Sequence, residues 1–345
     1  MDFKLYDSIE GYYSNCNENL WKSDYFTSPM MSPAFGYLFA RYIYSSWIHI
    51  GKPKDYFLVE IGGGGLYFIS NIIKELSKIS NDLLSTLKIL VLDRNFHNTI
   101  DPKYQLNLIQ SHTFNLKNID AFVISNELYD AMPFKRLIYK DNKFFEILFK
   151  YDHGIKEKQI EIDFNPFVGF DTAVYGIEDK IYSYSHSHKK LIKDIYNGLN
   201  SGIVVSIDYG YTFDQLYEKN NIHTDARIIK NQNIINNIYS DDLVDISSFV
   251  NFDLLEKYHL DIGFNKLFSG KQSDFLIDLG IHTYAKNYYK SDEKIGIKSK
   301  NLRTMQDLID DDIFGDYLIL SASKGLKDLS HKIISDHINK IGYKF

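Results

Sequence analysis

Residues 57–65 read FLVEIGGGG: an apolar run carrying the acidic Glu60 near its end, followed by four consecutive glycines, Gly62 to Gly65. A strand that runs straight into bare backbone gives a tight turn whose amides can approach a ligand closely. Two familiar uses of such a turn do not fit. No Gly-Lys-Ser/Thr follows, as a phosphate loop requires, and the dinucleotide pattern GxGxxG is broken because Tyr67 stands where its third glycine would be. Glu60 narrows the choice further. A carboxylate there is awkward beside a pyrophosphate but suits a cofactor that presents an ammonium, as S-adenosylmethionine does at its methionine end. A glycine turn that binds nothing is the plain alternative, and four glycines make it costly in chain entropy.

Strands and helices alternate outward from this point. YFLVEI is followed by a helix over LYFISNIIKELSKI, the strand LKILVLD, a poorly defined helix near 101–108, the strand IDAFVISN, a helix over HKKLIKDIYNGL and the strand GIVVSIDYG. Nearly continuous apolar strands between amphipathic helices indicate a parallel sheet covered on both faces, a Rossmann-like α/β fold. Upstream, Phe35, Leu38, Phe39, Tyr42, Ile43 and Trp47 recur at helical spacing, and Pro33 and Gly51 suit the ends of a helix over 33–50. DYFTSP at 24–29 and KNQNIINN at 230–237 read as loops. Alternating residues on either side of Asp141-Asn142 indicate an inserted antiparallel hairpin within 134–175. The expected divisions are an N-terminal helical segment (1–52), a cofactor-binding half (53–133), a β-rich insertion (134–180) and the remainder of the sheet domain (181–345).

Two further carboxylate positions bear on function. Asp93 ends the second strand, where it could accept both hydroxyls of a ribose. NAD-binding domains use an acid in the same place, so Asp93 alone does not separate the two cofactors. ISNELYDAMP (124–133) follows the next strand of the sheet. A helical turn starting at Asn126 would put Glu127 and Asp130 on one face, where two carboxylates could clamp a cationic acceptor or take its proton. The competing reading is an Asn cap with an acidic first turn. Asp208, Tyr209 and Tyr211 follow the fifth strand and are candidates for the acceptor pocket.

Composition excludes several classes. A net charge of −6 argues against a general nucleic-acid binder. Cys16 is the only cysteine, which rules out an intrachain disulfide or thiolate metal cluster and fits a reducing, cytoplasmic setting. His186 and His188 are two apart in SHSHKK, the wrong spacing for a helical metal pair, so no metal is expected. The N-terminal residues have neither signal-peptide nor transit-peptide character, and no apolar run is long enough for a membrane span.

Together these segments resemble the MidA-like S-adenosylmethionine-dependent methyltransferases. The resemblance is carried by DYFTSPMMSPAFG, LVEIGGGG, ISNELYDAMPFKR, IDYGY, DISSFVNF (245–252) and KQSDFLIDLGI (271–281), in order, from about residue 20 to 325. It implies a class I methyltransferase sheet and S-adenosylmethionine as cofactor. Glu60, Gly62, Gly63 and Gly64 would hold the methionine end and Asp93 the ribose. Arg94 and Ser125 would lie beside the cofactor, and Thr113 and Phe114 would flank the adenine. Asn126, Glu127 and Asp130 would orient the acceptor, with Thr27, Ser28, Pro29, Asp208, Tyr209 and Tyr211 contacting it. The chain departs from the family pattern at Gly63, where a proline is usual, and at Met30, Phe249 and Asn251, where glutamate, histidine and aspartate are common. The implied activity is N-methylation of an arginine or other nitrogen acceptor in a protein or peptide. Alternatives are a small-metabolite methyltransferase, an NAD-dependent oxidoreductase and a non-catalytic assembly factor. Expected partners are the protein, peptide or small-molecule acceptor and a second copy of the chain in a homodimer, without nucleic acid.

Overall fold

A computed structural model describes residues 5, 7, 11–12, 27–63, 65–94, 108–151, 155–218, 222–230, 233–234 and 244–341. Gly64, residues 24–26 of the expected first loop and nearly all of the expected helix near 101–108 lie outside the described residues.

The chain forms two compact units. One comprises residues 26–127, 193–207 and 262–345. Its seven-stranded sheet contains β1 (Tyr56–Ile61), β2 (Leu87–Leu92), β3 (Leu108–Ser111), β4 (Ile119–Asn126), β9 (Leu199–Asp208), β15 (Asn265–Lys271) and β16 (Leu318–Lys324), in the order β15-β16-β9-β4-β1-β2-β3. The pairs β3/β2, β2/β1, β1/β4 and β4/β9 are parallel, and β15/β16 is antiparallel. The α/β architecture with a mainly parallel sheet is therefore the one expected from the strand and helix alternation.

Helix Pro33–His49 starts where Pro33 and the Ser32 cap place it, Ser32 Oγ accepting from the Ala34 amide. Phe35, Leu38, Phe39, Tyr42 and Ile43 are buried with Phe68, Ile69 and Ile72 of helix Tyr67–Ile79 and with the strand residues Leu58, Phe122 and Val205. The helix after the glycines begins at Tyr67. Leu66 is its cap, in the left-handed region at φ 56°.

The second unit comprises residues 1–25, 128–192 and 208–261. A four-stranded antiparallel sheet is built from β5 (Lys135–Lys140), β6 (Lys143–Tyr151), β7 (Ile155–Glu161) and β8 (Ile181–Tyr184), ordered β7-β6-β5-β8. The expected hairpin is β5–β6. Asp141 and Asn142 both have positive φ, 49° and 61°, as the tight turn joining twisted strands requires. Phe144, Phe167, Tyr182 and Phe213 form its aromatic core, with ring centroids 4.9–5.1 Å apart along the series Phe144–Phe167, Phe167–Tyr182 and Phe167–Phe213. A smaller sheet pairs β11 (Ala226–Lys230) with β12 (Asn233–Ile234) and β13 (Asp245–Ser248), and β10 (Gly210–Tyr211) pairs with β14 (Val250–Asn251). The stretch expected to be a loop at 230–237 thus contains a strand. Asn233 and Ile234 pair with Lys230 and Ile229, a tertiary choice that polar composition does not reveal.

Candidate active site

Strand register brings the predicted cofactor residues to one rim of the first unit. Ile61 is level with Leu92 on one side and Ser125 on the other, and Leu92 is level with Ser111. Strand order reverses between β1 and β4, and the crevice outside the carboxyl ends at such a reversal is where open α/β sheets take ligands. Gly62 and Gly63, Asp93 and Arg94, Thr113 and Phe114, and Ser125 to Glu127 all follow or end these strands.

Backbone hydrogen bonds fix the rim. The Gly62 amide donates to Leu92 O at 2.8 Å, and the Asp93 amide donates to Ser111 O at 3.1 Å. Gly62 has φ 84°, a left-handed conformation that a side chain makes costly. A β-carbon on Gly63 would stand 2.6 Å from both Cγ and Oε2 of Glu60, so the carboxylate lies across the bare backbone of the turn. Glu60 is 6% exposed, and its Oε2 is buried without a hydrogen-bond partner. Burial, reinforced by the Asp93 charge and opposed by the Ile69 amide, pushes its carboxyl up to about 8. An unsatisfied buried acceptor over a glycine turn fits a ligand ammonium and not a phosphate.

At the neighbouring strand ends, His112 Nδ1 is 2.7 Å from Asp93 O, and Ser111 Oγ donates to Thr113 O at 3.0 Å. Phe114 is half-buried, its ring packed where Gly198 has no side chain. Arg94 and Thr113 are exposed, whereas Ser125 is buried.

No helical turn starts at Asn126, which corrects the geometry expected for Glu127 and Asp130. Asn126 ends β4, and Glu127 takes φ 50° because its amide is drawn to Ile207 O, 2.8 Å away on the β9 side. Asn126 Nδ2 donates to Glu127 Oε1 at 3.1 Å, while Asn126 Oδ1 is buried without a partner. A non-glycine residue held in the left-handed region beside a ligand crevice is the kind of strain found at functional sites.

Asp130 belongs to a cluster in the second unit. The Tyr209 hydroxyl donates to Asp130 Oδ2 at 2.6 Å, and Oδ1 is buried without a partner. Burial pushes the Asp130 carboxyl up to about 6, against the Tyr209 hydrogen bond, the Ala131 amide and the Arg227 charge. The Arg227 guanidinium lies 5.2 Å from the Tyr209 ring centroid. Burial and the charges of Asp130 and Asp208 hold the Tyr209 hydroxyl well above its usual range, so it remains a donor.

Asp208 sits differently from the role expected of it. It is fully buried and accepts from the amides of Tyr129 (2.9 Å), Asp130 (3.2 Å) and Tyr209 (2.9 Å), so it fixes backbone. Tyr211 is 1% exposed in β10. Ser28 is also fully buried, donating to Gln272 Oε1 at 3.1 Å, with Pro29 buried beside it and Thr27 capping their short helix. These positions support the frame. Sequence reasoning missed Arg227, Ser248 and the supporting role of His188. Ser248 donates from both its amide and its hydroxyl to Asp130 O, and His188 Nε2 donates to Tyr129 O at 2.8 Å. No local spacing links these residues to the loop they hold. Among the described residues there is no cluster of acids, histidines and cysteine suited to a metal, and no helix long and apolar enough to cross a membrane.

The family model described as "Putative S-adenosyl-L-methionine-dependent methyltransferase" matches residues 38–268. The mitochondrial protein arginine methyltransferase NDUFAF7 of Xenopus tropicalis is 24% identical over 246 residues, which is 60% of this chain and 55% of that protein. Its Drosophila melanogaster homologue is 27% identical over 162 residues, 40% of this chain and 37% of that protein. The chain thus spans about half or less of the length of these curated relatives. A Burkholderia thailandensis crystal structure with bound S-adenosyl-homocysteine superposes with TM-score 0.79 at 19% identity, covering 95% of this chain and 87% of that one. That likeness establishes the fold.

Proposed function

Because this chain belongs to the S-adenosylmethionine-dependent methyltransferase family whose model covers residues 38–268, we propose that it transfers a methyl group from that cofactor to a nitrogen acceptor, an arginine or related group in a protein or peptide. The observation that carries the reading is the Glu60 carboxylate, buried with an unpaired oxygen over the bare backbone of Gly63. When bound, the cofactor would supply a methyl carbon activated by a sulfonium for in-line transfer to the acceptor nitrogen, the carbon–sulfur electron pair going to sulfur. Glu60 and Gly62 would hold the methionine end and Asp93 the ribose. Asn126, Glu127 and, further along the same loop, Asp130 would orient the acceptor and remove its proton. The names of the curated relatives support arginine as the acceptor.

Titration calorimetry with S-adenosylmethionine against NAD tests the cofactor reading. Saturable binding of the first and none of the second is expected; the reverse would make the chain an oxidoreductase. Methyl transfer from labelled cofactor into arginine-containing peptides then tests the acceptor. A protein that binds the cofactor but labels no nitrogen acceptor would favour the non-catalytic assembly factor.

A further inference from the structure

The second unit has two arginines, and they are engaged differently. Arg136 is bound on every side: its Nε and Nη2 reach the two oxygens of Asp225 at 2.7 Å, and its Nη1 reaches Glu157 at 3.0 Å. Asp225 stands only two residues before Arg227 in the chain, so the nearest acid in sequence is already taken. Arg227 has neither a hydrogen bond nor an ion pair among the described residues, and its Nε is buried without a partner. Its guanidinium lies instead over the Tyr209 ring, 5.2 Å from the centroid, as a cation does on an aromatic face.

Strand pairing puts it there. In the antiparallel pair β11–β13, Arg227 is level with Ser247 and Ala226 with Ser248. Ser248 donates to Asp130 O from its amide at 2.9 Å and from its hydroxyl at 3.2 Å. The small sheet that grips the Asp130 backbone therefore also brings a guanidinium to the ring that meets the Asp130 side chain. Phe249, the residue after Ser248, packs edge-on against the same ring, with centroids 5.3 Å apart and planes at 75°. Phe249 and Arg227 together fix Tyr209, whose hydroxyl donates to Asp130 Oδ2 at 2.6 Å.

The charges in this corner are unequal. Asp130 and Asp208 are both buried, and Asp208 accepts the Asp130 amide. Desolvation disfavours an ionised carboxylate, and a nearby opposite charge restores it. Arg227 supplies the strongest opposing charge on Asp130. A guanidinium already bound to a carboxylate, as that of Arg136 is, would be locally neutralised; that of Arg227 is not.

We propose that Arg227 is a positioning residue of the acceptor site: lying over Tyr209, it fixes that ring so that the hydroxyl meets Asp130, and its charge balances the buried Asp130 carboxylate. That Asp130 serves the acceptor rests on the methyltransferase reading; the hold of Arg227 on Asp130 does not.

The test uses the full chain labelled with carboxyl-carbon-13 aspartate, the Asp130 signal being the one lost in Asp130→Asn. NMR then reads the Asp130 titration midpoint with no acceptor present. Arg227→Gln removes the charge but gives up no hydrogen bond seen in the fold, and should raise the midpoint by about one pH unit or more. Arg227→Lys keeps the charge and should restore most of that shift, yet lower turnover, because an ammonium lacks the planar packing of guanidinium on the ring. Circular dichroism and calorimetry with S-adenosylmethionine show that the variants stay folded and keep the cofactor, and Arg227→Met gives the neutral comparison if Arg227→Gln does not fold. An unmoved midpoint in the folded neutral variant, or an equal shift in Arg227→Lys, would overturn the proposal. Methyl transfer from labelled cofactor into an arginine-containing peptide reads the second half: the acidic limb of kcat/KM should move with the midpoint, and a limb that stays in place would overturn the positioning role. A chain that labels no peptide would fail the acceptor reading separately, with the hold of Arg227 on Asp130 still measured.

Discussion

Glu60 and Gly63 share one space: the position a Gly63 side chain would take lies 2.6 Å from the Glu60 carboxylate oxygen Oε2. Gly63→Ala is therefore expected to push that carboxylate aside and weaken S-adenosylmethionine at least about tenfold, the effect of misplacing one charge-assisted hydrogen bond. Gly62→Val should abolish binding, since φ 84° is adverse for a β-branched residue. Calorimetry checks both, with circular dichroism to show that the variants remain folded. Unchanged affinity in both would remove this turn from the cofactor site.

Glu60 also makes stability depend on pH. Its folded-state carboxyl sits at about 8 against an ordinary 4.5, so the folded protein holds this proton more tightly than the unfolded chain. The resulting stability is fully present below about pH 4.5 and is lost as pH rises through about 8. Glu60→Gln should flatten that fall and stabilise the ligand-free protein at pH 9 by roughly 2–4 kcal/mol, while weakening the cofactor. Denaturant melts of both proteins from pH 5 to 9 measure the difference. Parallel curves would show that Glu60 is ionised in the fold.

The Tyr209–Asp130 hydrogen bond lowers an acid that burial raises. Tyr209→Phe should carry Asp130 higher still, moving the acidic limb of the kcat/KM profile up by about one pH unit or more. Should the limb stay in place while activity persists, Asp130 is not the titrating base.

At Glu127, strain and chemistry can be separated. Glu127→Gly removes the cost of φ 50° and should add about 1 kcal/mol of stability while losing turnover. Glu127→Gln should keep cofactor affinity and lower turnover about 100-fold, the lower range for a general base. Full turnover in either variant would exclude this carboxylate from catalysis.

Asp208→Ala leaves the amides of Tyr129, Asp130 and Tyr209 without their common acceptor. A destabilisation of about 3 kcal/mol or more is expected from three lost charge-assisted bonds. Denaturation of the variant tests it; a loss below 1 kcal/mol would mean that water replaces the carboxylate.

Most elements were legible in local sequence. Apolar runs at 56–61, 87–92 and 119–126 form buried strands and the helical spacing from Phe35 to Trp47 covers a core, and the glycines after Glu60 leave backbone that a ligand can approach, all within a few residues of chain. Tertiary structure decided the rest. Glu127 leaves β4 in a left-handed conformation and not a helical turn because its amide is claimed by Ile207, a residue distant in sequence. Asp208 looks like a pocket acid in IDYGY, yet its oxygens are taken by three loop amides. Arg227, Ser248 and His188 meet the Asp130 loop only after the chain has folded back on itself. Periodicity records which way a side chain faces within its own element; which long-range hydrogen bonds satisfy a buried polar group depends on the packing of elements far apart in sequence, and no local pattern encodes it.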